Sequence, residues 1–360
     1  MSDVSYCPDW AAARQRLTTW WNGGDIGRPV LQITAPRTEP VDDIPPMPEP
    51  EGWVTHYSWR SLEYRVHLAR HAAADRECFG EAVPCAAPGD LGPNCVALYL
   101  GCEGVEMPGT VWFEPCLAGP EDARFAYDPD NFYWRFTQQA HRETLKVSRG
   151  KFLHQFPDLI EGLDTLAAMR GTELLLQDLL DRPQWVHDGL RRITDLYFHY
   201  YDMLYDLIRD EVGGSVFWCW APGRLVKLQC DFSAMISPAM FREFMSPILC
   251  EMTERISYSL YHLDGPQAIC HLDALLAVPG LDMIQWTPGA GQPGVHDPQW
   301  WPMYHRIIAG GKKIAALGVP HAAALAAMQR EFGADLGQFL IAMWLPDANE
   351  ARRCLALASG

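Results

Sequence analysis

The sequence predicts an α/β protein built as a (β/α)8 TIM barrel with an N-terminal elaboration, and three observations predict it. Strand-like and helix-like stretches alternate from residue 151 onward. The strand-like runs, such as SVFWCW (215–220) and QFLIAMW (338–344), are apolar throughout, as strands of a helix-covered parallel sheet must be. Their number suits an eight-stranded barrel better than an open doubly wound sheet, which is the alternative. One domain is expected over residues 1–360, with 1–110 packing on the barrel.

Taken in order, PVLQIT (29–34) reads as a short buried strand. APRTEPVDDIPPMPEPEGW (35–53), rich in proline and acid, reads as a loop, with a lid over a site as its functional alternative. KFLHQF (151–156) is the next strand, followed by helical LDTLAAM and ELLLQDLLD. Pro183 suits a first helical turn. Beyond it Val186, Leu190, Ile193, Tyr197, Tyr200, Leu204 and Leu207 recur at steps of four and three, one apolar helix face. Gly213 and Gly214 stop that helix before SVFWCW. Ser237-Pro238 open another, Pro247 bends it, and SYSLYHL (257–263) is the following strand. DMIQWT (282–287), KIAALG (313–318) and QFLIAMW complete the strands, with helices over 267–277, 299–310, 321–332 and 347–358.

Composition bounds the function. Apolar residues make up 48% and charged residues 21%, enough for a large core. A formal charge of −16 argues against nucleic acid or an anionic membrane as partner, since both need a basic face. The eleven cysteines include no CxxC pair, which suits reduced thiols. Cys7, Cys78, Cys85, Cys95, Cys102 and Cys354 lack ligand spacing and read as structural. The start, MSDVSYCPDWAAARQRL, has no apolar signal-peptide core, and no apolar run reaches membrane-spanning length. A soluble cytoplasmic protein is expected.

The tripeptide His-Leu-Asp occurs twice, at 262–264 and 271–273. In the first copy His262 and Asp264 sit two apart at a strand end, so both side chains project the same way. That is where a barrel places its chemistry. The second copy falls within a short helix, where residues two apart do not share a face, and His271 and Asp273 read as helix surface. WCWAPG (218–223) offers Cys219 with Trp218 and Trp220, either as core packing or as the wall of a pocket. His154 and Asp158 bracket the end of KFLHQF, and a core histidine is the plainer reading of His154. Gln285 and Trp286 end their strand before GAGQPG (289–294), a weak phosphate signal without a helix-opening GxGxxG. GxSxG, GxxxxGK[ST] and HExxH are all missing.

Three stretches, FPDLIEGLDTLAAMRGTELLLQDLLDRP (156–183), CDFSAMISPAMFREFMSPIL (230–249) and YHLDGPQAICHLDALLAVPGLDMIQWTPGAG (261–291), resemble the uroporphyrinogen decarboxylase superfamily. The likeness is to its corrinoid-linked methyltransferase-like branch and covers the chain from about residue 110. It implies a (β/α)8 barrel with its site at the C-terminal mouth. The decarboxylases carry an RQAGR-type segment that grips substrate carboxylates, whereas GRPVLQITAPR here offers only Arg28 and Arg37, so porphyrinogen decarboxylation is not expected. The methyltransferases hold zinc on H-x-C-G plus a cysteine near the last strand. Here His262 carries over, Asp264 replaces the first cysteine, and QFLIAMW has none.

The resemblance therefore implies methyl transfer between a small methylated substrate and a cobamide, with a cofactor-free decarboxylase or lyase as the alternative. His262 and Asp264 become metal ligands or acid/base groups, with Cys219 as a third ligand if the metal is zinc. Asp231, in QCDFSAM, matches an acidic position of the family near the mouth. Trp218, Trp220, Gln285, Trp286 and His154 are the expected substrate contacts. The chain lacks the DxHxxG signature that holds a corrinoid's lower ligand, so the cobamide is expected on a separate carrier protein.

Overall fold

Six strands, mostly apolar and buried, hydrogen-bond side by side in parallel. The computed structural model describes residues 4–49 and 52–359. In chain order the strands are β1 (Val30–Pro36), β2 (Arg76–Gly80), β3 (Cys85–Ala86), β4 (Glu103–Met107), β5 (Thr110–Glu114) and β6 (Leu153–His154). They continue with β7 (Ser215–Phe217), β8 (Cys219–Ala221), β9 (Leu225–Gln229), β10 (Tyr258–Asp264), β11 (Met283–Thr287), β12 (Lys313–Leu317) and β13 (Phe339–Trp344). The main sheet runs β2-β1-β13-β12-β11-β10-β9, with β2 antiparallel at its edge.

The α/β class and the parallel strands agree with the sequence reading, but the sheet does not close into a ring. The free edge of β1 is taken by antiparallel β2. KFLHQF yields only the two-residue strand β6, which pairs with β3 and touches β7 through one bridge, Gln155 to Val216. SVFWCW does not run straight either. Trp218 takes φ 55°, a left-handed conformation rare for a bulky residue, and turns the chain so that β8 doubles back antiparallel on β7. The expected strands do not include 225–229, where the structure forms β9 with Lys227 and Gln229 both buried.

Other boundaries follow the expected chemistry. The helix opened by Pro183 extends to Ile208 and buries Val186, Leu190, Ile193, Tyr197, Tyr200 and Leu204. The helix opened by Pro238 ends at Phe244, and a new one starts at Ser246 with Pro247 in its first turn. Residues 50 and 51 of the proline-rich stretch lie outside the described residues. The rest of that stretch is pinned sideways: Asp42 binds Tyr6 and Lys151, and Val41 and Ile44 pack beside Ala69 and Ala73. Among the described residues no helix is long and apolar enough to cross a membrane.

Candidate active site

The site begins where β10 ends. His262 and Asp264 project together, as two residues of one strand face should, and β9 delivers Asp231 beside them. The ligand atoms of Asp231, His262 and Asp264 all lie within 4.8 Å of one another. Asp231 opens a 3-10 turn, Asp231–Met235, whose first N–H groups point at one carboxylate. The N–H groups of Asp231 and Phe232 donate to Asp164 at 2.8 Å each. The helix Gly162–Arg170 supplies that Asp164.

The second His-Leu-Asp supports the first. Asp273 is at the surface, paired with Arg306 at 2.6 Å. His271 departs from the surface expectation: it is buried, its ring stacked on Phe241, and Nε2–H donates to the Ser233 carbonyl at 2.9 Å. Ser233 lies in the turn that carries Asp231, so His271 braces the site from below.

A hydrogen-bond argument sets the tautomer of His262. The Gln285 amide nitrogen donates to the Trp286 carbonyl at 2.7 Å and to Thr287 Oγ1 at 2.9 Å. A carbonyl can only accept, so the other end of the amide, Oε1, faces His262 Nδ1. Nδ1 therefore carries the proton, and Nε2 is left as a lone-pair donor. Burial, reinforced by the Lys227 charge, lowers the His262 pKa and keeps the ring neutral.

Beneath this trio lies a charged layer that the sequence reading did not assemble. Lys227 Nζ pairs with Asp158 Oδ1 at 2.5 Å and bonds Gln229 Oε1. Gln229 Nε2 donates to Asp231 at 3.1 Å and Asp164 at 3.2 Å. Glu161, 0% exposed, accepts the Gln229 N–H at 2.8 Å through one oxygen, while the other has no partner. Burial pushes its pKa up to about 8. Burial and the neighbouring Asp164 push Asp231 up to about 7. The signal for Lys227 and Gln229 is the pattern LVKLQ: two polar residues on one face of an otherwise apolar strand.

A cavity of about 520 Å³ opens beside His262. Its wall draws on Gln32 and Thr34 from β1, Cys85 from β3, Gln155, Trp218, Gln285, Trp286 and Trp344. The Trp218 ring stands edge-on to His262 at 5.3 Å between centroids. A second cavity, about 480 Å³, borders Asp231 and is walled by Trp112, Phe113, Ile160, Phe232 and Met235. Trp218 and Ile160 both hold positive φ, and each lines one of the two cavities. Such strain concentrates at ligand-binding sites.

Three expected residues lie elsewhere. Cys219 is buried on β8, where burial pushes its thiol pKa up, and it does not join the trio. Trp220, next to it, bonds Asp210 at 2.8 Å and packs edge-on against Trp10, away from both cavities. The turn at Trp218 separates both from the mouth. His154 is a core histidine, held by His141 Nδ1 at 3.0 Å and Ser148 Oγ at 2.9 Å, and it borders a different cavity. Arg28 is occupied by buried Glu81, and Arg37 by the carbonyls of Tyr6, Ala74 and Arg76.

No family model matches the chain, and no curated protein matches it. Among solved structures, a methyltransferase from Methanosarcina mazei superposes with a TM-score of 0.61 at 12% identity. The match covers 96% of this chain and 98% of that one. At that identity the likeness is one of fold.

Proposed function

We propose that this chain is a methyltransferase of the corrinoid-linked type, moving a methyl group between a small methylated substrate and the cobamide of a separate protein. The observation that carries the reading is the convergence of His262, Asp264 and Asp231, whose ligand atoms all lie within 4.8 Å of one another. The fold shared with a protein named as a methyltransferase supports it. So does the way the late parts of β1, β10, β11 and β13 and the residues ending β6 and β7 surround one cavity, as the strand ends of a barrel mouth do.

The donor set fits a divalent metal. Asp158, Asp164, Asp231 and Asp264 crowd together with Lys227 as the cation among them, and a bound dication would offset the repulsion between the carboxylates. Catalytic zinc takes three protein ligands and keeps a position open. We assign those ligands to His262, Asp264 and Asp231, with Asp231 in the place first given to Cys219. One nitrogen and two carboxylates form a harder set than thiolates and suit an oxygen or amine leaving group. When bound, the metal supplies a Lewis acid and the cobamide a nucleophile for the methyl group.

The chain's own residues do the rest. Gln285 holds His262 in one tautomer, and Asp164 and His271 hold the turn of Asp231. Trp218 and Trp286 wall the substrate cavity. Among the described residues lining that cavity none is arginine or lysine, which disfavours a carboxylated substrate and with it the decarboxylase alternative.

Two measurements on the purified chain test this. Metal analysis should find about one divalent ion per chain, lost in His262→Ala. Absorbance should show reduced cobalamin consumed when a methylated amine or ether is supplied. Trace metal together with an active His262→Ala variant would overturn the metal assignment; carbon dioxide release without a cobalamin change would overturn the methyl-transfer reading.

A further inference from the structure

The hairpin β4–β5 leaves the body of the protein between two cysteines, Cys102 just before β4 and Cys116 just after β5. Their sulfurs lie 3.6 Å apart although the residues are fourteen positions apart in sequence. Cys102 is buried, and its thiol also lies 3.6 Å from the Ala168 carbonyl. Cys116 is only partly buried. Backbone bonds also hold the base of the hairpin, from the N–H of Cys102 to the Ala97 carbonyl at 3.0 Å and from the N–H groups of Cys116 and Leu117 to the Met169 carbonyl at 2.9 Å each.

What this hairpin carries gives the pair its interest. Val111, Trp112 and Phe113 of β5 form one wall of the second cavity, facing Ile160, Phe232 and Asp231. Trp112 is 65% exposed, and Val105 and Met107 of β4 are exposed as well. β4 is also anchored by Gly104 N–H to Tyr133 Oη at 2.9 Å and by Glu106, which accepts from Thr55; a covalent tie across the base would join the ends of both strands and stiffen the wall that β5 presents.

We propose that Cys102 and Cys116 form a redox-active dithiol, oxidised by low-mass organic disulfides to a bridge that clamps the hairpin walling the cavity beside Asp231. Only Cys116 is reachable from outside, so it reacts first. Its sulfur attacks one sulfur of the reagent RSSR, loses its proton to solvent and expels RS⁻, which leaves a mixed disulfide on Cys116. Cys102 then gives up its proton and attacks the Cys116 sulfur, expelling the second RS⁻. Two protein thiols have lost two electrons, and one RSSR has become two RSH. The hydrogen bond from the Cys102 thiol lowers the pKa of Cys116, which favours the attacking thiolate at that position. The inference does not depend on the activity proposed above.

The test uses the full chain and glutathione disulfide. After incubation, the chain is unfolded in denaturant with alkylating reagent present, so that every free thiol is capped, and the digest is read by mass spectrometry. The expected product is a pair of peptides joined through Cys102 and Cys116, two hydrogens lighter than the dithiol and carrying no glutathione. Cys102→Ser should stop at one glutathione retained on Cys116, and Cys116→Ser should leave Cys102 open to alkylation. Amide hydrogen exchange over residues 103–114 should slow on oxidation and recover on reduction. Two alkylated thiols at these positions after exposed Cys270 has reacted, or a stable glutathione adduct on Cys116 in the unsubstituted chain, would overturn the dithiol. Bridge formation with unchanged exchange across the hairpin would overturn the clamp.

Discussion

Because the Gln285 amide spends both its N–H bonds on the Trp286 carbonyl and Thr287 Oγ1, its oxygen can only accept, and that fixes the proton on His262 Nδ1. Gln285→Leu removes this acceptor and releases the ring. A chelator-competition titration should then show metal affinity about 10–100-fold weaker, since outer partners of metal-binding histidines contribute about that much; unchanged affinity would sink the assignment. Glu161 gives a pH signature. Its folded pKa of about 8 lies well above the roughly 4.3 of an ordinary exposed glutamate. The folded state therefore binds the extra proton, and this group's contribution to stability is lost as pH rises from about 4 through about 8. Urea unfolding of metal-free protein should show Glu161→Gln more stable than the parent at high pH and not at pH near 4. Equal stability gains at both pH values would show that the carboxyl is not titrating. Of these residues, His262 and Asp264 were legible as a strand-end pair and Asp231 only through the family resemblance, whereas Lys227 was not legible. A lysine in sequence reads as surface, and only the carboxylates Asp158, Glu161 and Asp164, brought from another segment, make its burial tolerable.

At the scale of elements, the long helix Pro183–Ile208 shows how periodicity becomes stability. Its apolar stripe seats Leu190 and Ile193 in the core at full burial. Leu190→Ala should cost about 2–5 kcal/mol, read from the urea midpoint, since a buried leucine truncation leaves a cavity as well as losing transfer energy. A cost below about 1 kcal/mol would mean that the helix can collapse onto the gap, contrary to close packing. SVFWCW makes the opposite point. Six apolar residues read as one strand, yet the positive φ of Trp218 splits them into β7 and β8. Periodicity reports which residues are buried; it does not report a backbone turn forced by tertiary contacts. That turn puts the Trp218 ring against His262 and takes Cys219 and Trp220 out of the mouth.

For the molecule as a whole, a ligand that binds only the folded state must stabilise it. Zinc at a hundred times its dissociation constant should add about 2.7 kcal/mol to unfolding stability. The accompanying rise in melting temperature should vanish in a His262→Ala, Asp264→Ala double variant. A rise of the same size in that variant would place the binding elsewhere. The net charge of −16 makes weak surface binding of cations a real background, so the variant is the informative control. By itself the sequence determined the α/β class, the parallel strands β10 to β13, the long helix and the pairing of His262 with Asp264, because each follows from a short-range pattern: apolar runs, a helical period, two residues on one strand face. Only the tertiary structure decided that the sheet stays open at β1, that β9 carries Lys227 and Gln229 inward, and that Asp231 rather than Cys219 completes the trio. It also moved His271 from the expected surface to a brace under Asp231. Those outcomes depend on groups far apart in sequence meeting in a low-dielectric interior, where a carboxylate, a lysine or a free strand edge is settled by the partner it finds.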